Sequence, residues 1–489
     1  MVTCMRWIRL SLCFGLVVTC LGQSEKNVVW TFETKGKIFS HPVVEKGYLL
    51  FGSDDGNVYC LDTKSGKKRW SYETRGAIRS EPVVVKDKVF VKSGNDVFAL
   101  KVSNGELAWR AFDGSEMVKK PIDPWDYHSG SAGVWNNTVI FGFENGTVQG
   151  FDGGSGQVTF QFQAEKSAPV KSGLLVKGNR LYFGDWNGIV YGYDLAKKKL
   201  VWSQATYEEK PYGTFGSIVG GFATHGENLY MGLRNPEMPV LNRETGAFTW
   251  RFKEKGGGWI SGDPLVYEGI LYVGGSDNHD MSAFDPVTGE REWAFRFLNN
   301  CFSKPLVVGD NLIFTTGDAY NVYGSHVGYG YLYAINRHTG KLVNFEYFGG
   351  NTYTSPVQSS GLIFLGNEDG RMLAIDLERF LNSAANLKEK GYNSVQLKAV
   401  EPKPFVDEVT FSYSVAHPSK LNMVITDLSD ETVATLVSGS VETGDHSVKW
   451  DGQNSSGEVV ADGYYFIKMT SGISVFKQLV QKKANQESK

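Results

Sequence analysis

Between Tyr48 and Trp70 the chain reads YLLFGSDDGNVYCLDTKSGKKRW, and its apolar residues come in short runs, not at helical spacing. Leu49 to Phe51 form one run and Val58 to Leu61 another, separated by the turn residues Asp54-Asp55-Gly56. Asp62 opens a second turn that closes at Gly66, and a third run carries Trp70. The pattern predicts three strands joined by tight turns.

The pattern recurs. With Gly52 as the register mark, equivalent positions fall at Lys92, Gly142, Gly184, Gly232, Gly274, Thr315 and Gly366, at intervals of 40 to 51 residues. The Asp62 position returns as Asp152, Asp194, Asp285 and Asp376 and as Asn242 and Asn336; Lys101 is the outlier. The Gly66 position returns as Gly105, Gly156, Gly246, Gly289 and Gly340. An aromatic residue follows four positions later in most copies: Trp70, Trp109, Phe160, Trp250 and Trp293, with Trp202 in the copy where Lys198 replaces glycine. A Ser/Pro run precedes the hairpins as FSHPVV, RSEPVV, FSKPLVV and YTSPV. Eight copies of four strands at this period predict an all-β, eight-bladed propeller. Val28 to Phe32, with Trp30, is a Trp strand lacking its hairpin, and the hairpin ending at Asp376 lacks its Trp strand. The N-terminal strand is therefore expected to complete the eighth blade and close the ring, which removes open sheet edges.

The repeat LxVGSxDGxxYALDxxTGxxxW with its Ser-x-Pro strand resembles the quinoprotein-like (PQQ-like) propeller repeat over about residues 27 to 376. That superfamily includes quinone-dependent alcohol dehydrogenases and the propeller lipoprotein of outer-membrane protein assembly. The resemblance implies aromatic-and-glycine docking between blades. Gly52, Asp62, Gly66, Trp30, Trp70, Trp109, Trp202, Trp250 and Trp293 are accordingly assigned structural roles.

After Asp376 the texture changes. Leu377, Leu381 and Leu387 have helical spacing up to a stop at Gly391, and residues 377–404 are expected to be a helical segment and linker. Alternating runs return from Phe405, as in Val409-Phe411-Tyr413 and Leu421-Met423-Ile425. The stretch HSVKWDGQNSSGEVVADGYYFIKMTSG, with Trp450-Asp451-Gly452, Gly457 and Gly463-Tyr464-Tyr465, resembles the FlgD-type immunoglobulin-like domain. That implies a β-sandwich over 405–483, followed by a polar tail at 484–489. The module is also similar to sorting domains of type IX secretion. Anchor, sorting signal and spacer all remain open readings.

At the other end, Arg6 and Arg9 precede the apolar run Leu10 to Leu21, which is short for a membrane span. Residues 1–22 read as a signal peptide with the mature chain starting near Gln23, so the protein is expected in the periplasm, on the outer membrane or outside the cell. Lipid attachment at Cys20 would need a small residue before it, and Thr19 is a poor match. Cys4, Cys13 and Cys20 lie in this segment; Cys60 and Cys301 read as small buried hydrophobes. With 57 glycines, 13% aromatics and a net charge of -3, composition fits tight-turned strands and offers no basic face for nucleic acid.

Candidate chemistry falls on the links and hairpin turns around the channel mouth. The second-to-third link holds Trp125, Asp126, Tyr127 and His128, and other links hold Tyr212, Trp259, Phe302 and Tyr353. The turns add Trp186, His279 and, in the long seventh insertion, Tyr320 and His326. Aromatic surfaces with interspersed polar groups suit planar ligands, sugars or a peptide. In the quinone-dependent enzymes, the resemblance implies a Trp floor, a vicinal-cysteine ring, Ca²⁺ held by Glu and Asn, and an Asp base. This chain has no adjacent cysteines and no CxxCH haem motif. Asp277 to Asp280 groups oxygen ligands without an EF-hand pattern. The expectation is a monomeric, exported, non-catalytic propeller without cofactor or metal, binding a protein or glycan partner in the cell envelope. The alternative is a PQQ- and Ca²⁺-dependent dehydrogenase, or a carbohydrate-active enzyme, using the channel.

Overall fold

A computed structural model describes residues 25–74, 76–112, 130–207, 216–254, 259–276, 279–297, 300–317, 330–383, 395–415, 418–428, 431–471 and 474–483. The signal segment, Cys20, the tail 484–489 and candidates Trp125, Asp126, Tyr127, His128, Tyr212, Tyr320 and His326 lie outside these residues.

The repeats fold as eight four-stranded antiparallel sheets. The first comprises Val43–Glu45, Tyr48–Gly52, Asn57–Asp62 and Lys68–Glu73, in that spatial order from the channel outward. The second and third strands are buried almost throughout, because the sheet is covered on both faces by its neighbours. This is why their apolar residues run consecutively instead of alternating. The outer strand is half exposed, and Trp70 is its buried residue.

The eighth sheet has the order Val28–Glu33, Arg371–Asp376, Leu362–Gly366, Val357–Ser359. The first strand of the chain is thus the outer strand of the last blade, with Trp30 opposite Ala374 and Phe32 opposite Met372. A polar latch reinforces the closure. Asn27 donates to Glu346 at 2.6 Å and to Ser383 at 3.2 Å, tying the start of the chain to the seventh blade and to the helix Leu377–Asn382. Asp376 caps that helix by accepting the Arg379 N–H at 2.9 Å.

Neighbouring blades dock through one repeated contact. Each outer-strand Trp lies on the turn glycine of the next blade, and its indole N–H donates to a carbonyl of the same turn. Trp30 reaches the Thr63 carbonyl, Trp70 that of Val102, Trp109 that of Gly153 and Trp293 that of Arg337. A β-carbon at Gly66 would come within 2.6 Å of Trp30, and one at Gly105 within 2.6 Å of Trp70. Both glycines also have positive φ, +67° and +74°, so glycine is required twice over. Two seams differ: in the seventh-to-eighth seam Asn344 takes the Trp position and donates to the Phe380 carbonyl, and in the third-to-fourth seam Phe160 has no N–H to donate and Lys198 takes the glycine position at φ 50°. Phe160 stacks instead on Tyr193 at 5.6 Å.

Nearer the channel a second repeated contact operates. The Ser at the head of this run accepts the N–H of the register residue twelve positions later, as Ser40 of Ser40-His41-Pro42 does from Gly52 at 3.1 Å and Ser172 of Ser172-Gly173-Leu174 from Gly184 at 3.0 Å. Two residues before each such Ser, an apolar side chain packs on the register glycine of the preceding blade: Ile78 on Gly52, Val170 on Gly142, and Ile38 on Gly366 across the closure. Cys301 occupies the same slot against Gly274. It is fully buried, which agrees with its reading as a small hydrophobe.

The C-terminal strands form a sandwich of a three-stranded sheet and a four-stranded sheet. Val409–Val415 alternates buried and half-buried residues, and Phe405, Phe411, Met423, Trp450 and Ile467 meet in one core. The span expected to be linker needs a correction, since Val395–Glu401 is a strand paired with Val409–Val415. Pro402 and Pro404, which suggested a linker, fall just beyond that strand, where no ladder hydrogen bond is lost.

Candidate functional site: the channel mouth

The inner strands begin beside the links, and the residues just ahead of them line a small cavity of about 40 Å³. Each of the eight blades contributes to it. Tyr353 stacks on Phe39 with centroids 6.3 Å apart and planes 6° from parallel, and Phe302 meets Tyr353 edge-on at 5.4 Å. These rings come from the first, seventh and eighth blades and form one continuous wall. The opposite wall, from the third to fifth blades, is mostly backbone: Gly130, Gly173, Gly220 and Gly221. A β-carbon at Gly173 would lie 3.0 Å from both Gly221 and Ser131, so these blades approach one another closely there.

Charged groups occupy the flanks. Arg79 lies over Phe39 at 5.1 Å and forms a two-point pair with Asp54 at 2.9 and 2.8 Å, which uses much of its hydrogen-bonding capacity. Asp263, on the opposite blade, accepts the Gly221 N–H on one carboxylate oxygen at 2.6 Å. His41 accepts the Ser355 N–H on Nδ1 at 2.7 Å, which places its ring proton on Nε2. Burial pushes the Glu81 carboxyl up from its ordinary value and Asp263 adds to this, while His41 and Lys304 oppose it.

His41, Glu81, Asp263 and Lys304 share a sequence origin. Each immediately precedes the proline of its link, as in Ser40-His41-Pro42 or Ser80-Glu81-Pro82. The same register position in the remaining blades holds Ser131, Gly173, Gly221 and Ser355. This ring escaped the sequence reading, which treated Ser-x-Pro only as a strand marker. The signal was available as the single variable residue inside a constant frame.

The sequence candidates separate on the structure. Phe302 and Tyr353 meet in the cavity. Trp186, expected on the exposed face, is only 4% exposed. It is packed between Lys171 at 5.4 Å and Arg234 at 4.6 Å, because the indole faces attract the two cations of adjacent blades. Trp259 also meets Arg234, at 5.8 Å, and is half-buried. His279 sits in a turn at φ 51°, away from the cavity lining. Among the described residues no three of His, Cys, Asp and Glu converge as metal ligands do.

Nor does the cavity suit the quinone of the related enzymes. Its described lining contains neither indole, nor cysteine, nor asparagine. Cys60 and Cys301 are buried singly in different blades.

Eight four-stranded blades closed by the N-terminal strand define a propeller of the quinoprotein-like class. The family model described as "Outer membrane protein assembly factor BamB" matches residues 15–184 and 186–399, and the chain belongs to that family. A second model, the FlgD Ig-like domain, matches residues 405–474. Among curated proteins, the chain is 22% identical over 305 residues to the tetrathionate hydrolase of Acidithiobacillus ferrooxidans, covering 58% of this chain and 56% of that protein. It is 26% identical over 183 residues to BamB of Legionella pneumophila, covering 36% of this chain and 42% of that one. The chain thus spans about half the length of these relatives. Among solved structures, the quinohemoprotein alcohol dehydrogenase of Comamonas testosteroni superposes with a TM-score of 0.57 at 13% identity, over 72% of this chain and 76% of that one. A europium-containing methanol dehydrogenase gives 0.55 at 13% identity, over 69% and 84%. At such identity these two structures speak for the fold alone.

Proposed function

We propose that this chain is a non-catalytic propeller of the cell envelope. It holds a protein partner on the face that carries the links and hairpin turns, and its Ig-like module serves attachment or sorting. Membership of a family described by its role in outer-membrane protein assembly supports the partner class and the location. The observation that carries the reading against the dehydrogenase alternative is the cavity lining. Its rings, glycine wall and dispersed charges lack the indole floor and cysteine pair that the quinone enzymes bring to the same channel. Trp259 brings to this face the kind of aromatic side chain that protein interfaces favour.

The test has two arms. Cross-linking capture from envelope extracts is expected to recover a defined protein with the wild type and to lose it with Trp259→Ala and Trp125→Ala combined. Incubation with PQQ, Ca²⁺, an alcohol and a dye acceptor is expected to give neither quinone absorbance changes nor dye reduction. Dye reduction by the wild type would overturn the non-catalytic reading, and unaltered capture by the double variant would overturn the choice of face.

A further inference from the structure

We propose that the outer turns of the fourth blade form a contact for an anionic phospholipid surface, on the face of the propeller opposite the links. The link face, proposed above to hold a protein partner, then points away from the bilayer. The two readings rest on different residues.

In each antiparallel blade the links and the turn between the second and third strands lie at one end, and the other two turns lie at the opposite end. The fourth blade has strands Leu175–Lys177, Arg180–Gly184, Ile189–Asp194 and Lys199–Ala205, so those two turns fall at 177–180 and 194–199. The Leu195 N–H donates to the Asn179 carbonyl at 2.8 Å, which holds the two turns side by side. Lys177, Lys197, Lys198 and Lys199 are all exposed here, in a chain whose net charge is -3. Among the described residues none of the four forms an ion pair. The nearby carboxylates are already engaged: Asp194 pairs with Arg180 at 2.8 Å, and Glu244 lies 3.6 Å from both Arg180 and Arg243.

The turn sets aside two structural solutions to place these lysines. In four other blades the third residue after the turn's Asp or Asn is Ser or Thr, whose hydroxyl donates back to it. Ser65 reaches Asp62 at 2.8 Å, Ser155 Asp152 at 2.9 Å, Thr245 Asn242 at 3.2 Å and Thr339 Asn336 at 3.0 Å. Lys197 occupies that position and has no hydroxyl to offer. The next residue in those four turns is glycine, at φ between +66° and +77°. Lys198 takes its place at φ 50°, where a β-carbon is strained. Lys198 recovers one bond, from Nζ to the Thr159 carbonyl at 2.8 Å, whereas the side chains of Lys197 and Lys199 recover none among the described residues. A repeat unit that departs from its own local rules points to a function.

What surrounds the charge decides the ligand class. Leu200 and Val201 follow the lysines directly and are 40% and 38% exposed, and Val158 of the third blade is 53% exposed. The bond from Lys198 to Thr159 places Val158 beside the lysine run. The matching turn of the first blade carries Lys64, Lys67 and Lys68 but has Arg69 where the fourth blade has Val201, and that blade exposes no large apolar residue. An anionic bilayer presents phosphates at its surface and hydrocarbon just beneath, so it meets lysine and exposed leucine or valine together. Lysine is a hydrated point charge on a flexible stem and suits an unordered array of phosphates. A folded acidic partner would favour the rigid fork of arginine.

The test uses the chain from Gln23 onward and vesicles of equal parts phosphatidylglycerol and phosphatidylethanolamine, with phosphatidylcholine vesicles as the neutral control. Co-sedimentation is expected with the anionic vesicles alone and should fall as salt is raised. Each lysine at such a surface contributes about fivefold in affinity, so Lys197→Glu combined with Lys199→Glu should weaken binding at least about twentyfold. Lys64→Glu combined with Lys67→Glu makes the same charge change on the first blade and should weaken it far less. All four side chains are exposed, so both variants should keep the wild-type melting temperature. Leu200→Cys carrying an environment-sensitive fluorophore reads the contact with every lysine in place, because Cys60 and Cys301 are buried. Its emission should shift to the blue on anionic vesicles. Absence of sedimentation with the anionic vesicles, equal sedimentation with the neutral ones, equal weakening by the two charge reversals, or an unshifted fluorophore on bound protein would each overturn the proposal. None of these outcomes bears on the link face, whose partner capture is read separately.

Discussion

The Trp–Gly contacts at the rim of the propeller and the ring of link residues at its channel are built from the same repeat, and they behave in opposite ways. At the rim six of the eight seams carry the same pair, with the indole on the turn glycine and the indole N–H on a turn carbonyl. At the channel the corresponding position holds His41, Glu81, Ser131, Gly173, Gly221, Asp263, Lys304 and Ser355. Eight copies within one chain serve as an internal control. Where every seam has the same packing problem the residue repeats, and where the side chains face a shared open space nothing compels repetition. Constancy marks assembly; variation inside a constant frame marks the surface free to acquire a ligand.

The largest effect should come from the rim. Trp109→Ala removes a ring that contacts Phe90 and Phe151 and loses the bond to Gly153, and should cost about 3–5 kcal/mol, read as a lowered denaturation midpoint. A cost below about 1 kcal/mol would deny the rim its assembly role. Deleting residues 27–34 should likewise lower the melting temperature, since it strips the eighth blade of its outer strand. An unchanged melting temperature would mean that the closure carries no stability. Gly105→Ala comes next. With φ at +74° and Trp70 at 2.6 Å from the new β-carbon, it should cost about 1–3 kcal/mol in the same assay.

The channel ring should respond with the opposite sign. Because burial raises the folded-state affinity of Glu81 for its proton, the ionised form costs stability above the unfolded carboxyl value. Glu81→Gln should therefore raise the melting temperature slightly at pH 7, with the gain vanishing at acid pH. A loss at pH 7 would place Glu81 among the assembly residues. The smallest effect lies between the two regions. Asp280, buried beside Glu254, is pushed up to about 6 by that burial, with Arg291 opposing. Its contribution is fully present below the unfolded carboxyl value near 4 and is lost as pH rises through about 6. The melting-temperature difference between wild type and Asp280→Asn should change across that window and be flat on either side of it.

Much of the assembly was legible in the chain. Periodic Gly66, Trp70 and their equivalents fixed the blade count and the closing strand because each copy must solve the same local problem of turn and seam. The helix start at Leu377 followed from its leucine spacing, whereas the capping role of Asp376 came only from the structure. The channel was less legible. Phe302 and Tyr353 were found as loop aromatics, whereas Phe39, His41, Arg79, Glu81 and Asp263 were passed over. None of them stands out in a linear reading, since their common property is a radial position. Trp186 misled for the converse reason: an aromatic in a hairpin turn looks exposed until the cations of adjacent blades are found on its faces. Val395–Glu401 was hidden by the two prolines that follow it.

By itself, then, the sequence determined the propeller, its ring closure and the presence of a C-terminal sandwich, because strand period, turn glycines and docking indoles act over one blade or one seam. Only the tertiary structure decided where those blades point their variable residues. It brought Phe39 beside Tyr353 and set Glu81 within electrostatic reach of Asp263, residues hundreds of positions apart in the first case and four blades apart in the second. Local physical chemistry shapes a repeat, but a site shared by eight repeats exists only once the ring has closed.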